Sequence, residues 1–448
     1  MSILYSHGYS ISDALILLNI KSIYVYGAGE MGEILLADVV DKINILGVYD
    51  CAADPKKNIK IHKDIQGANK EFEFKVQKPE EIPQDENIVL VTPANNYKEI
   101  ETSLIEHGIS KNRIITLNVV LYYAMYFFLT EKVGKSAMCM RGKEFLIYGA
   151  EFRNKGSQAM LFVTIDEIRK RFENAVIWFV PNYEESEYKD AYKKYRFIIL
   201  NEGWSREATV WEILPRISAM IDISGYALSS GGRVDSSDRN ILFFQMAQEY
   251  QIPLFIMPQS FGPFQYEKEK KQQIQRLLSQ AKIIYAREQE GYELLVNDLK
   301  LKNIAKSEDI VLQNKGIETQ NIYIGTCGKE YKLETNHNVA VIPNTQNYYY
   351  GNREESFSFY KTAVEKLLNI GKNVYVISHS DDSEICRDIY TCFQTQAVVH
   401  LYEEEFDCNG FCELVKNFDY IVASRFHAIV HAYKQGITCI VLGWAEKY

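Results

Sequence analysis

A chain of 448 residues is long enough for two or three domains. Its 47% hydrophobic and 24% charged residues are those of an ordinary globular protein. A net charge of -9, from 50 basic against 59 acidic residues, excludes broad nucleic-acid binding, which needs a basic face, but leaves room for a local basic pocket around an anionic ligand.

Met1 to Asn19 lacks a basic start and a small-residue cleavage site, so no signal peptide is predicted. The eight cysteines show no paired CxxC spacing. Reduced thiols and a cytoplasmic location are therefore expected, with no metal site. Residues 1–118 read as a Rossmann-like α/β unit. Ser22–Tyr26 is a predicted strand, followed at once by Gly27-Ala28-Gly29-Glu30-Met31-Gly32 and a helix to about Val40. Ile45–Asp50 is a second strand ending in an acid, Ile88–Thr92 a third, and Tyr97–His107 a helix. Gly27, Gly29 and Gly32 permit a tight turn and close approach to a phosphate, and Asp50 can bind ribose hydroxyls, so a nucleotide is a candidate ligand here. The alternative is a unit that has kept the turn for packing and binds nothing.

Residues 119–143 form an apolar linker. Its run Val119–Leu129, VVLYYAMYFFL, is too short to span a bilayer; it is expected to pack between domains, with peripheral membrane contact as the alternative. Residues 144–320 and 321–448 read as two further α/β lobes. Strands are expected at Phe145–Gly149, Val176–Val180, Phe197–Leu200, Met220–Ser224, Leu254–Met257 and Ile283–Ala286. After a hinge-like stretch, Asn314 to Asn338, more follow at Val339–Pro343, Val374–Ser378, Val398–Leu401, Tyr420–Ala423 and Cys439–Leu442. Strands alternating with helices predict parallel, doubly wound sheets, and two of them facing each other predict a cleft at the carboxyl ends of their strands.

Five predicted strand ends carry unusual chemistry. They hold Asn154-Lys155-Gly156-Ser157, the small-residue loop Gly225–Arg233, Gln259-Ser260 between two prolines, Arg287-Glu288, and Ser424-Arg425-Phe426-His427. Gly156 allows close backbone approach and Ser157 can cap a helix. Helix starts attract anions, a guanidinium binds them in bidentate fashion, and an imidazole moves protons near neutral pH. Each item alone reads as a turn, a cap or an ion pair; Glu308-Asp309 reads as an exposed acidic pair, with a general base as the alternative, and His379 as a helix cap, with acceptor contact as the alternative. Their recurrence at strand ends points to an anion-binding catalytic cleft.

In order, NKGSQA, DISGYALSSGG, MPQSFGPF, AREQEGYELL, SEDIVL, ASRFHAIVHAYKQGI and VLGWAEKY resemble the polysaccharide pyruvyl transferases over roughly Glu144 to Tyr448. The resemblance implies a glycosyltransferase B-type architecture, here preceded by the extra N-terminal Rossmann-like domain. It implies transfer of the pyruvyl group of phosphoenolpyruvate to a sugar as a cyclic ketal, with no cofactor required. Arg287, Arg425 and His427 would handle the donor's phosphate and carboxylate and the proton transfers. Asn154, Gly156, Ser157, Gln259, Ser260 and Lys447 would help to bind the donor. The acceptor would be a sugar or a lipid-linked oligosaccharide, which places the protein in the cytoplasm or at the inner face of the membrane. Such folds often carry a last helix after the GWAEKY stretch, so a second lobe cut short at Tyr448 is a further expectation. Two other readings remain: a sugar-nucleotide glycosyltransferase of the same architecture, and a non-catalytic nucleotide-sensing component of polysaccharide assembly.

Overall fold

The computed structural model describes residues 5, 8–53, 58–93, 96–129, 143–183, 188, 191, 193–200, 209–226, 228–230, 237–325, 331–333 and 336–443, without the side chains of 125–129 and 350. Three sheets follow one another along the chain. The first contains β1 (Ser22–Tyr26), β2 (Asn44–Tyr49), β3 (Asn58–Ile65), β4 (Ala68–Gln77), β5 (Ile88–Val91) and β6 (Ile114–Thr116), in the order β3-β4-β2-β1-β5-β6. All its pairings are parallel except the β3–β4 hairpin. That hairpin and β6 are absent from the sequence-based strands. Its turn is Gln66-Gly67, both at positive φ (56° and 82°), the backbone that a tight two-residue hairpin requires. Its outer strand alternates buried Ile59 and Ile61 with charged residues, and Lys60 pairs across the ladder with Glu71 at 2.9 Å.

The second sheet contains β7 (Glu144–Ala150), β8 (Val176–Pro181), β9 (Ile198–Ile199), β10 (Ile217–Asp222), β11 (Leu254–Gln259), β12 (Ile283–Ala286) and β13 (Ile304–Lys306). It is wholly parallel, in the order β13-β12-β11-β10-β7-β8-β9. The third contains β14 (Asn338–Ile342), β15 (Asn373–Ile377), β16 (Val399–Tyr402), β17 (Tyr420–Ala423) and β18 (Thr438–Val441), also parallel, in the order β16-β15-β14-β17-β18. The central strands EFLIYGA and NVAVI are buried at every position, as parallel strands covered on both faces must be. These two lobes are Rossmann-like and give the mixed α/β, glycosyltransferase B-type architecture expected.

The apolar linker is a helix, Leu117–Leu129, and its described side chains pack inward. Val119, Val120, Tyr123 and Ala124 are buried, and Tyr123 meets the Trp178 ring edge-on at 5.4 Å. Glu144 anchors this contact: it accepts from the Tyr123 hydroxyl (2.6 Å) and the Trp178 indole (2.8 Å) and pairs with Arg216 (2.7 Å). The first unit also grips the second through Lys98 over Trp211 (4.1 Å), Lys111 over Tyr250 (3.3 Å), and the Tyr250 hydroxyl donating to Glu101 (2.8 Å). Among the described residues no helix is long and apolar enough to cross a membrane.

Candidate functional site

In a doubly wound sheet the crevice opens where strand order reverses. In the second sheet this is between β7 and β10, and in the third between β14 and β17. The segments leaving these strands carry Glu151–Ser157, Ser224-Gly225, Asn344 and Ser424–His427.

The structure brings Arg287, Ser260 and His427 into one cluster that joins the lobes. Arg287 leaves β12 and is 6% exposed. Its guanidinium donates to Asp309 Oδ2 (2.8 Å), to Glu288 Oε1 (2.8 Å) and to Ser260 Oγ (2.8 Å). Its face lies over the Phe426 ring of the other lobe at 4.5 Å. His427 Nε2 stands 3.4 Å from the same Asp309 oxygen. The other Asp309 oxygen caps the helix Ile310–Gln313 through Val311 N–H (2.8 Å). Burial works to raise the Asp309 carboxyl, but the His427 imidazole beside it and the Arg287 guanidinium together hold it well below the usual carboxylate range. Asp309 is 3% exposed, so the reading of Glu308-Asp309 as an exposed pair is corrected for Asp309. The signal missed was an acid directly before the apolar start of a short helix, an N-cap pattern.

Arg425 is placed differently. Its guanidinium grips the fully buried Asp382 with two hydrogen bonds, the Nε one at 2.7 Å and the second through NH2 to Oδ1. Asp382 also accepts from Thr345 N–H (2.9 Å) and Thr345 Oγ1 (2.7 Å). Arg425 thus stands at the β17 end on a buried counter-charge. No described side chain caps the helix Phe426–Lys434 that follows it. Nothing in the sequence separates Asp382 from the neighbouring acids.

The Asn154–Ser157 turn also differs from expectation. Asn154, not Ser157, caps the helix Lys155–Arg171, its Oδ1 accepting from Gly156 N–H (3.1 Å) and Ser157 N–H (3.4 Å). Those two N–H groups are therefore already occupied. Gly156 is required by close approach: a Cβ there would lie 2.2 Å from His427 Nδ1. Gln158 continues the seam, its Oε1 accepting from Cys408 N–H of the other lobe (2.8 Å).

Gln259 ends β11 wholly buried, close to buried Asp222. Asp222 itself takes Ser224 N–H (2.8 Å) and the Asn240 amide (2.8 Å). The loop from Gly225 is laced to the Ser260–Pro263 loop by Ser260 N–H to Gly225 O (3.0 Å) and Gly262 N–H to Leu228 O (3.0 Å). His379 does not cap: it is 1% exposed, with its ring against Phe411 at 4.6 Å, and Asp382 starts the helix. Lys447 lies outside the described residues.

In the first unit, Gly27 has φ +106 and a Cβ there would lie 2.4 Å from Thr92 Oγ1; at Gly32 it would lie 2.0 Å from Gly27 O. Packing alone requires both glycines, while Gly29 faces open space. The Asp50 carboxylate holds the loop through Ala28 N–H (2.7 Å) and Ala52 N–H (2.8 Å), and Glu30 and Glu33 occupy the first helical turn. Glu30 and Glu33 add negative charge where a pyrophosphate would sit.

One further residue was not singled out from the sequence. Glu151, directly after β7, is half-buried. Burial pushes its carboxyl up, against the pull of Arg239, Arg153 and Arg425. A cavity of about 1240 Å³ opens along the lobe seam, between Lys155, Gln158 and Tyr323 on one side and Ser380, Glu404 and Lys434 on the other.

The sequence model of the family described as polysaccharide pyruvyl transferase matches residues 154–446, well over half of the chain. The chain belongs to this family. No curated protein matches it in sequence. Several solved structures share parts of its fold. The UDP-GlcNAc 2-epimerase from Methanocaldococcus jannaschii is 10% identical, with a TM-score of 0.45 over 67% of this chain and 83% of the other. A glycosyltransferase from Rickettsia africae is 11% identical, with a TM-score of 0.41 over 68% and 81%. The E. coli heptosyltransferase WaaC is 10% identical, with a TM-score of 0.33 over 66% and 88%. Membership makes the chain a transferase of the polysaccharide-modifying kind. The match covers the strand ends that carry Arg287, Asp309, Arg425 and His427, and leaves the N-terminal unit outside.

Proposed function

We propose that this polysaccharide pyruvyl transferase takes its pyruvyl group from phosphoenolpyruvate and sets it as a cyclic ketal on two hydroxyls of a saccharide, releasing phosphate. The observation that carries the reading is the interlobe cluster of Arg287, Ser260, Asp309 and His427, with Arg425 at the facing strand end. A donor with a phosphate and a carboxylate needs two cationic sites; in this reading they are Arg287 and Arg425, which exchange part of their contacts with Asp309, Glu288 and Asp382 for the donor. Asp309 takes a role like the acid of a catalytic triad: its carboxylate, 3.4 Å from Nε2, orients the His427 ring. A protonated His427 can give its proton to the methylene carbon of the donor. The central carbon becomes oxocarbenium-like, one sugar hydroxyl adds to it, phosphate leaves, and the second hydroxyl closes the ring.

The test is phosphate release from phosphoenolpyruvate with a panel of methyl glycosides and oligosaccharides. His427→Ala and Arg287→Lys proteins that melt like the wild type should lose the activity. Unchanged rates in both would remove the assignment, and turnover of nucleotide sugars instead would favour a glycosyltransferase.

A further inference from the structure

We propose that Glu151 is the general base that accepts the proton of the attacking sugar hydroxyl, a catalytic residue outside the arginine–histidine motif. The inference rests on the pyruvyl-transfer reading above. Glu151 is the first residue beyond β7, at the switch point of its lobe, where substrates of such sheets bind. Its charged surroundings come from both lobes: Arg153 and Arg239 from its own side, Arg425 and Asp381 from across the cleft. The residue at the β7 end is therefore within electrostatic reach of both lobes, Arg425 of the proposed donor site included.

The other carboxylates described at these strand ends are committed. Asp309 is bonded to Arg287 and Val311 N–H and stands beside His427. Asp382 is gripped by Arg425 and Thr345. Glu288 accepts from Arg287 and Ser260, and Asp222 from Ser224 and Asn240. An acid held by a guanidinium stays ionised and is a weak base. Among the described residues no hydrogen bond or ion pair engages the Glu151 side chain, and burial shifts it the other way, toward a stronger base. Half-burial keeps it reachable.

The chemistry balances without a further reactant. The first hydroxyl oxygen bonds to the central carbon of the donor, and its proton passes to Glu151. The methylene carbon takes a proton from His427 and becomes the methyl group. The second hydroxyl bonds to the same carbon as the C–O bond to phosphate breaks and gives its proton to the departing phosphate, while the proton held by Glu151 returns through solvent to His427 and resets both residues.

The experiment compares wild type with Glu151→Gln and Glu151→Asp between pH 5 and 9. It reads phosphate release from phosphoenolpyruvate with methyl hexopyranosides and with water alone, and the thermal shift caused by phosphoenolpyruvate. Expected for Glu151→Gln is a fall in kcat of about 10²–10⁴-fold, loss of the acidic limb of the kcat profile, and an unchanged donor thermal shift. Glu151→Asp should recover part of the rate. A wild-type kcat and profile in Glu151→Gln overturns the proposal. So does a donor shift lost in step with kcat, which would make Glu151 a positioning residue for the arginines. A wild type that releases no phosphate with glycoside or water overturns the pyruvyl-transfer reading itself, and this inference with it.

Discussion

Gly156→Ala is the smallest change that interrogates the seam between the lobes. The added methyl would sit 2.2 Å from His427 Nδ1 and 2.3 Å from Cγ, where ordinary contact begins at 3.4 Å. The two groups must separate by about 1.2 Å, the difference between those limits. Neither side yields easily. Gly156 is in the first turn of a helix capped by Asn154, and His427 is held by Asp309 and by its own helix. Overpacking of this kind costs about 1–3 kcal/mol, and a 1 Å displacement of a catalytic group costs on the order of 10²-fold in rate. Alanine is the better helix former, so helix propensity works against any loss. Urea unfolding should show the stability loss, and phosphate release from phosphoenolpyruvate a fall in kcat larger than the change in KM. A Gly156→Ala protein with wild-type stability and wild-type kcat would refute the idea that this backbone presses on a functioning His427.

Three other outcomes are expected. Arg425→Ala leaves Asp382 buried without its counter-charge and should cost about 3–5 kcal/mol, whereas Arg425→Ala with Asp382→Asn should regain stability but not activity; urea midpoints and phosphate release read the two separately. Burial, aided by His427 nearby, lowers the His431 pKa to about 3, so the native state carries it neutral while the unfolded chain protonates near 6.5. Its contribution is whole above pH 6.5 and shrinks by about 1.4 kcal/mol per unit as pH falls toward 3, so His431→Leu should flatten the loss of stability between pH 7 and 5. Burial raises the Glu212 carboxyl to about 7, against the help of Thr116 and Asn118. It is most favourable when protonated, its contribution is lost as pH rises through 7, and Glu212→Gln should therefore be more stable than wild type at pH 8 by about 2–3 kcal/mol in urea melts.

The strands of the two family lobes were legible because parallel strands buried on both faces read as unbroken apolar runs, EFLIYGA and NVAVI among them. What escaped was short or polar. Ile304–Lys306 has three residues, and the Asn58–Gln77 hairpin interleaves its few apolar residues with charged and polar ones. The arginines and His427 were legible as chemistry at strand ends. Their acidic partners were not, because Asp309 meets Arg287 and His427, 22 and 118 positions away, and Asp382 meets Arg425, 43 positions away. The assignment of a cap to Ser157 failed for a local reason: Asn154, three residues earlier, starts the helix and accepts from Gly156 and Ser157 N–H, which leaves Ser157 inside the first turn.

The most direct test is a crystal soaked with phosphoenolpyruvate. The account predicts that the donor's phosphate and carboxylate lie between Arg287 and Arg425 at the start of the Phe426–Lys434 helix, with the methylene carbon within reach of His427. Donor bound elsewhere, at the Gly27–Gly32 loop or remote from both arginines, would contradict it.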